Sequence, residues 1–118
     1  MSVILRFSAE KDDTWQVANR IFFWFEGLFE IAYADDPVVL EWVDLVSSIS
    51  GYRLHELAEE EPEIAWRLIE ALKTTAERVG RGEHPIPDGL SSDPLKLQSR
   101  FSDLATRLRA FEVESGKS

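Results

Sequence analysis

The sequence predicts a mainly α fold: a bundle of four main helices plus one short helix, with a short N-terminal β-strand. Three observations carry this expectation. Apolar residues recur at three- and four-residue spacing along most of the chain. Aspartate or proline stands where the longer helices would begin. Only residues 2–8 show the β-branched, alternating pattern of a strand. At 118 residues, a single helical domain spanning 1–118 is expected, since chains of about 100–200 residues form one core. The chain is 44% hydrophobic, with four Trp and seven Phe, so that core needs no metal or disulfide.

Taken in order, residues 2–8 place Val3, Leu5 and Phe7 on one face. A lone strand must pair. Its partner is either residues 86–90, where Pro85 and Pro87 oppose pairing, or the same strand of a second copy. A long helix is expected over residues 14–34, capped by Asp12 or Asp13. At about 100° per residue it gathers Gln16, Asn19, Arg20, Glu26, Gly27 and Glu30 on one side. Ala18, Ile21, Phe22, Phe25, Leu28, Phe29 and Ala32 lie opposite.

Asp36 as N-cap and Pro37 at the first turn open a second helix to residue 49. It is apolar on most sides apart from Glu41, Asp44, Ser47 and Ser48, which predicts a central position. Ser50-Gly51 stops it. A short helix is expected over 52–60 with Leu54, Leu57 and Ala58 inward. Another runs over 62–79, with Ile64, Ala65, Leu68, Leu72, Ala76 and Val79 as its stripe. Residues 80–94 read as a long loop. The last helix starts at Pro94, capped by Asp93, and runs to residue 111 with Leu97, Phe101, Leu104, Ala105, Leu108 and Phe111 inward. Residues 114–118 are expected to fray.

Composition narrows the function. Without cysteine there is no disulfide, thiol nucleophile or thiolate metal site. The apolar start is short and is followed by Glu10, Asp12 and Asp13, unlike a signal peptide. No stretch reaches the ~18 apolar residues of a membrane span. A cytoplasmic location is therefore expected. The net charge is −9, from 13 basic and 22 acidic residues. Residues 26–63 hold eleven acids against Arg53 alone, or −10, while the remainder has 12 bases and 11 acids. Such a field repels nucleic acid and anionic membranes and attracts a basic protein.

No strong catalytic signature is present. His55 and Glu59 lie one turn apart, but the zinc-protease pattern needs His at both positions to set two imidazoles on one face. His84 has no nucleophile or acid partner in sequence. Gly80-Arg-Gly lacks the spacing and lysine of a phosphate loop. The pairs Glu41/Asp44 and Glu60/Glu63 are three residues apart, and on a helix they would share a face. This spacing resembles that of the all-helical nucleotide pyrophosphohydrolases, which implies magnesium-dependent hydrolysis as one alternative. That family places a longer acidic motif first and the shorter pair later, an order this chain does not reproduce. No catalytic residue, metal ligand or cofactor is assigned.

Two aromatic residues fall out of phase. Phe23 lies on the polar side of the first long helix, and Trp66 lies among Glu63, Glu70, Lys73 and Glu77. Aromatics amid charge are what interface centres use. The expected partner-binding residues are therefore Glu59, Glu60, Glu61, Glu63, Trp66, Glu70 and Phe23. Lys96, Arg100 and Arg107 form a basic flank on the last helix, available to pair within the chain or between copies. By composition the chain is similar to small acidic inhibitors of basic toxins or nucleases, such as bacterial immunity proteins. That likeness implies a non-enzymatic binding module with a basic protein partner. The second expectation is a homodimeric assembly protein, joined through Val3, Leu5 and Phe7.

Overall fold

The computed structural model describes residues 2–10, 12–48 and 51–114. Among these residues are five helices and a small sheet of strand order β2-β1-β3, so the chain is mainly α. It divides into two compact units, Met1–Leu68 and Ile69–Ser118.

In the first unit, strand β1 (Ser2–Arg6) buries Val3 and Leu5 from one face. It pairs antiparallel with β2 (Thr14–Ala18), Val3 facing Val17 and Leu5 facing Trp15. Residues 14–18, expected to begin the first helix, are thus a strand. Trp15 and Val17 are buried on alternate positions, and this two-residue period wins because β1 offers its hydrogen-bonding edge. Asp12 and Asp13 lie in the connecting loop instead of capping a helix, and Phe7 N–H donates to the Asp13 carbonyl at 3.0 Å. The other edge of β1 pairs in parallel with β3 (Gly51–Arg53), residues partly expected in the short helix. Both edges of β1 are therefore filled from within the chain, and Val3, Leu5 and Phe7 are buried. A strand-to-strand homodimer through Val3, Leu5 and Phe7 would need β1 to offer a free edge. Residues 86–90 form no strand.

Helix α1 (Asn19–Ala32) buries Phe22, Phe25 and Phe29. Their rings pack edge to face, with centroids 5.7 and 5.2 Å apart, and Tyr33 stacks on Phe29 at 5.7 Å. The buried stripe is narrower than the wheel predicts: Ile21 and Leu28 are half-buried and Ala32 is exposed. Helix α2 (Pro37–Ser48) opens as expected, with Val39 N–H donating to Asp36 Oδ1 at 3.3 Å. Its expected central position does not hold. Among its described side chains, residues 37–45, only Val39 and Val43 are buried. Helix α3 (Leu54–Glu60) turns Leu54 and Leu57 inward.

Helix α4 (Pro62–Gly80) buries Ala65 and Leu68 in the first unit. In the second it buries Ile69, Ala71, Leu72, Thr75, Ala76 and Val79; Ile69, Ala71 and Thr75 are additions to the predicted stripe, whose Ile64 is only half-buried. It ends in a Schellman motif: Glu83 N–H reaches the Arg78 carbonyl and Gly82 N–H the Val79 carbonyl, both at 3.0 Å. Gly82 supplies the left-handed φ of 77° that the motif requires. Helix α5 (Pro94–Glu114) is capped by Asp93, whose Oδ1 accepts from Lys96 N–H at 3.1 Å, and all six predicted stripe residues are buried. Lys73 donates to Glu112 at 2.7 Å, and Arg109 pairs with Glu77, so two ion pairs tie α4 to α5. Residues 115–118 of the tail expected to fray lie outside the described residues.

Candidate protein-binding surface

Helix α1 turns its aromatic spine inward and presents a mixed face to solvent. On that face Phe23 is 70% and Ile31 83% exposed. Gly27 stands midway between them, and a Cβ built on it meets nothing within 4 Å. The three residues repeat every fourth position and so share a face, with the exposed Glu30 and half-buried Glu26 beside them. Phe23 is where the wheel placed it. Ile31 was missed, although its spacing of eight residues from Phe23 was the available signal.

Beside this face lies a cleft of about 170 Å³, lined by Glu26, Phe29 and Glu30 of α1 and Leu40, Val43 and Asp44 of α2. Three of its lining side chains are apolar and three are carboxylates. Glu41 and Leu45, both exposed, continue the outer side of α2. Among the described residues, Glu30 and Asp44 have no ion-pair partner. Nor does any group of three or more His, Asp or Glu there gather closely enough to hold a metal ion.

The charge is divided along the same boundary as the two units. Met1–Leu68 carries 5 basic and 14 acidic residues, hence the whole −9, while Ile69–Ser118 carries 8 of each. In the second unit Glu70, Glu77, Glu83, Asp103 and Glu112 all have described ion-pair partners. The basic flank of α5 is partly used in this way: Arg107 pairs with Asp103, while the neighbouring Arg109 pairs with Glu77. In the first unit Arg53 pairs with Glu56 at 3.4 Å and Arg67 with Asp36 at 2.7 Å. Burial would push the Asp36 carboxyl up. The Arg67 hydrogen bond and charge, with the Val39 and Val38 backbone bonds, outweigh it and hold the group below its ordinary 3.8.

The acidic run Glu59 to Glu63 is divided by the helix break expected between residues 60 and 62. Glu59 and Glu60 end α3, while the Glu61 carbonyl accepts from Ala65 N–H at 2.9 Å and starts α4, with Glu63 in the first turn. Helix electrostatics favours Glu61 and Glu63 at an N-terminus but disfavours Glu59 and Glu60 at a C-terminus. All four are exposed. Glu60 and Glu63 belong to different helices, so the shared face assumed for that pair does not exist. Trp66 is half-buried and makes an interaction within the chain. Glu70 is held by Lys73 at 2.8 Å in the second unit. His55 is half-buried, its Nδ1 without a hydrogen-bond partner among the described residues, and Glu59 one turn on is exposed. His84 is half-buried in the loop after α4.

No helix of the described residues is long and apolar enough to cross a membrane. No protein family, curated protein or solved structure matches the chain.

Proposed function

We propose that the chain is a non-enzymatic protein-binding module for a basic partner. Its contact surface is the outer face of α1 with the adjoining side of α2. The observation that carries this reading is the exposure of Phe23 and Ile31 on the unit that bears all the net charge. Carboxylates such as Glu30 and Asp44, without an ion-pair partner among the described residues, give long-range steering and orientation. Exposed apolar side chains give the anchors that lose water on contact. The cleft adds a recognition element: a lysine or arginine can lay its methylenes on Leu40 and its charge among Glu26, Glu30 and Asp44. Glu59, Glu60, Glu61 and Glu63 contribute to the field, and Phe23 replaces Trp66 as the principal anchor. Inhibition of a basic toxin or nuclease in the cytoplasm, as immunity proteins perform it, is the role such a scaffold suits.

The test is affinity isolation of the partner, followed by titration of the purified pair at increasing salt. The partner is expected to be basic and its affinity to fall as salt rises. Phe23→Ala and Ile31→Ala should each weaken binding about tenfold, or about 1.4 kcal/mol, without moving the melting temperature. A partner that is acidic, or indifferent to both substitutions, would sink the assignment.

A further inference from the structure

Among the described residues nothing accounts for a glycine in the middle of α1, at position 27. Glycine in a helix interior is less favourable than alanine, so its presence asks for a cause. Backbone conformation is not the cause, because the described positive-φ glycines are Gly82 and Gly89. Packing is not the cause either, since a Cβ at Gly27 would stand in open space. Gly80 shows the contrast: a Cβ there would run into Ser102 of α5, so the second unit requires that glycine.

We infer that Gly27 is the seat on which a helix of the partner, carrying basic residues on its flanks, crosses α1. The inference rests on the basic-partner reading above and adds the occupant and its position. Phe23 and Ile31 stand four residues to either side of the glycine, both exposed. At 1.5 Å per residue they are about 12 Å apart along the axis, and a helix with its side chains is about 10–12 Å across. Packed ridge into groove, a crossing helix would set its own side chains between these two apolar posts. Loss of the Cβ at the midpoint lets the crossing backbone approach closely. Glu26 and Glu30 beside the seat, with Asp44 and Glu41 across the cleft, select positive flanks on the visitor. A second copy of this chain would bring the same carboxylates and another −9 unit against them, which disfavours it as the occupant.

The experiment uses a displayed library of helix-forming peptides of about 20 residues, randomised at seam and flanks and selected against the whole chain. Enriched peptides are expected to be helical when bound, net positive, and weakened by salt. Gly27→Leu should reduce their affinity at least about tenfold while leaving the melting temperature equal or higher. Leu95→Ala, at an exposed site on α5, should change nothing. Basic peptides that lose affinity to Glu30→Lys but ignore Gly27→Leu would overturn the seat and leave the basic-partner reading standing. Selection of neutral or acidic peptides, or of none, would overturn both. A wild-type dimer in light scattering that Gly27→Leu converts to monomer would give the seat to a second copy and overturn the assignment to a partner helix.

Discussion

Phe23 and Phe29 lie on the same helix, the first 70% exposed and the second fully buried against Phe25 and Tyr33. Phe29→Ala should cost about 3–5 kcal/mol in urea unfolding, because a ring-sized cavity opens in the aromatic spine. Phe23→Ala should stay within about 0.5 kcal/mol of wild type, as surface changes do when no packed neighbour is lost. Gly27→Ala, by contrast, should stabilise the free protein by about 0.5–1 kcal/mol through helix propensity. A loss of stability there would reveal packing around Gly27 and remove the argument for a vacant seat. At this scale the wheel could identify Phe23, because a single helical phase decides it. Trp66 was harder to read: it lies amid charge in sequence, yet in the fold it is half-buried and engaged.

Helix α5 carries its apolar stripe on one uninterrupted period, and Asp93 marks its start, so both its position and its buried face were legible in sequence. Asp93→Ala should lower stability by about 1 kcal/mol, the ordinary worth of an N-cap, with thermal unfolding as the check. Strand β2 was not legible. Thr14-Trp-Gln-Val-Ala runs into α1 without a glycine or proline between them, and its two-residue period is only one strand long. Strand β3 has three residues, too few to show any period. The acidic surface was legible as composition, and the break at Glu61 as the boundary between helices expected over 52–60 and 62–79, whereas the cleft between α1 and α2 depends on tertiary contacts no spacing records. Between α4 and α5, Lys73 is mostly buried, and its hydrogen bonds to Glu112 and then Glu70 raise its pKa above the ordinary 10.5 despite desolvation. A raised lysine pKa adds stability that is complete below the unfolded value and is lost as pH climbs through the folded one. Lys73→Met should therefore be less stable than wild type at neutral pH, with the difference shrinking as pH rises beyond 10.5. A gap that stays constant into strong alkali would assign the loss to packing of the lysine stem.

Across the whole molecule, the unequal division of charge gives one cause with two opposite salt effects. Met1–Leu68 holds 14 acids against 5 bases, so folding gathers like charges, whereas the balanced Ile69–Ser118 pairs its charges internally. Raising ionic strength from about 0.01 M to about 0.1 M shortens the Debye length from about 30 Å to about 10 Å. Repulsion within the first unit is then screened, and the melting temperature of the free chain should rise. The exposed ion pairs of the second unit weaken under the same salt, but such pairs contribute little, about 0–1 kcal/mol each. Substituting Glu59, Glu60 and Glu61 with Gln should reduce the rise, because all three are exposed and two sit at the unfavourable end of α3. The affinity for a basic partner should move the other way and fall over the same range, since screening removes the steering attraction. Calorimetry of the free chain and titration of the complex at matched salt concentrations test both signs. A melting temperature that falls with salt would mean that the internal ion pairs outweigh the acidic unit's repulsion, and stability would no longer be strained by the charge proposed for binding.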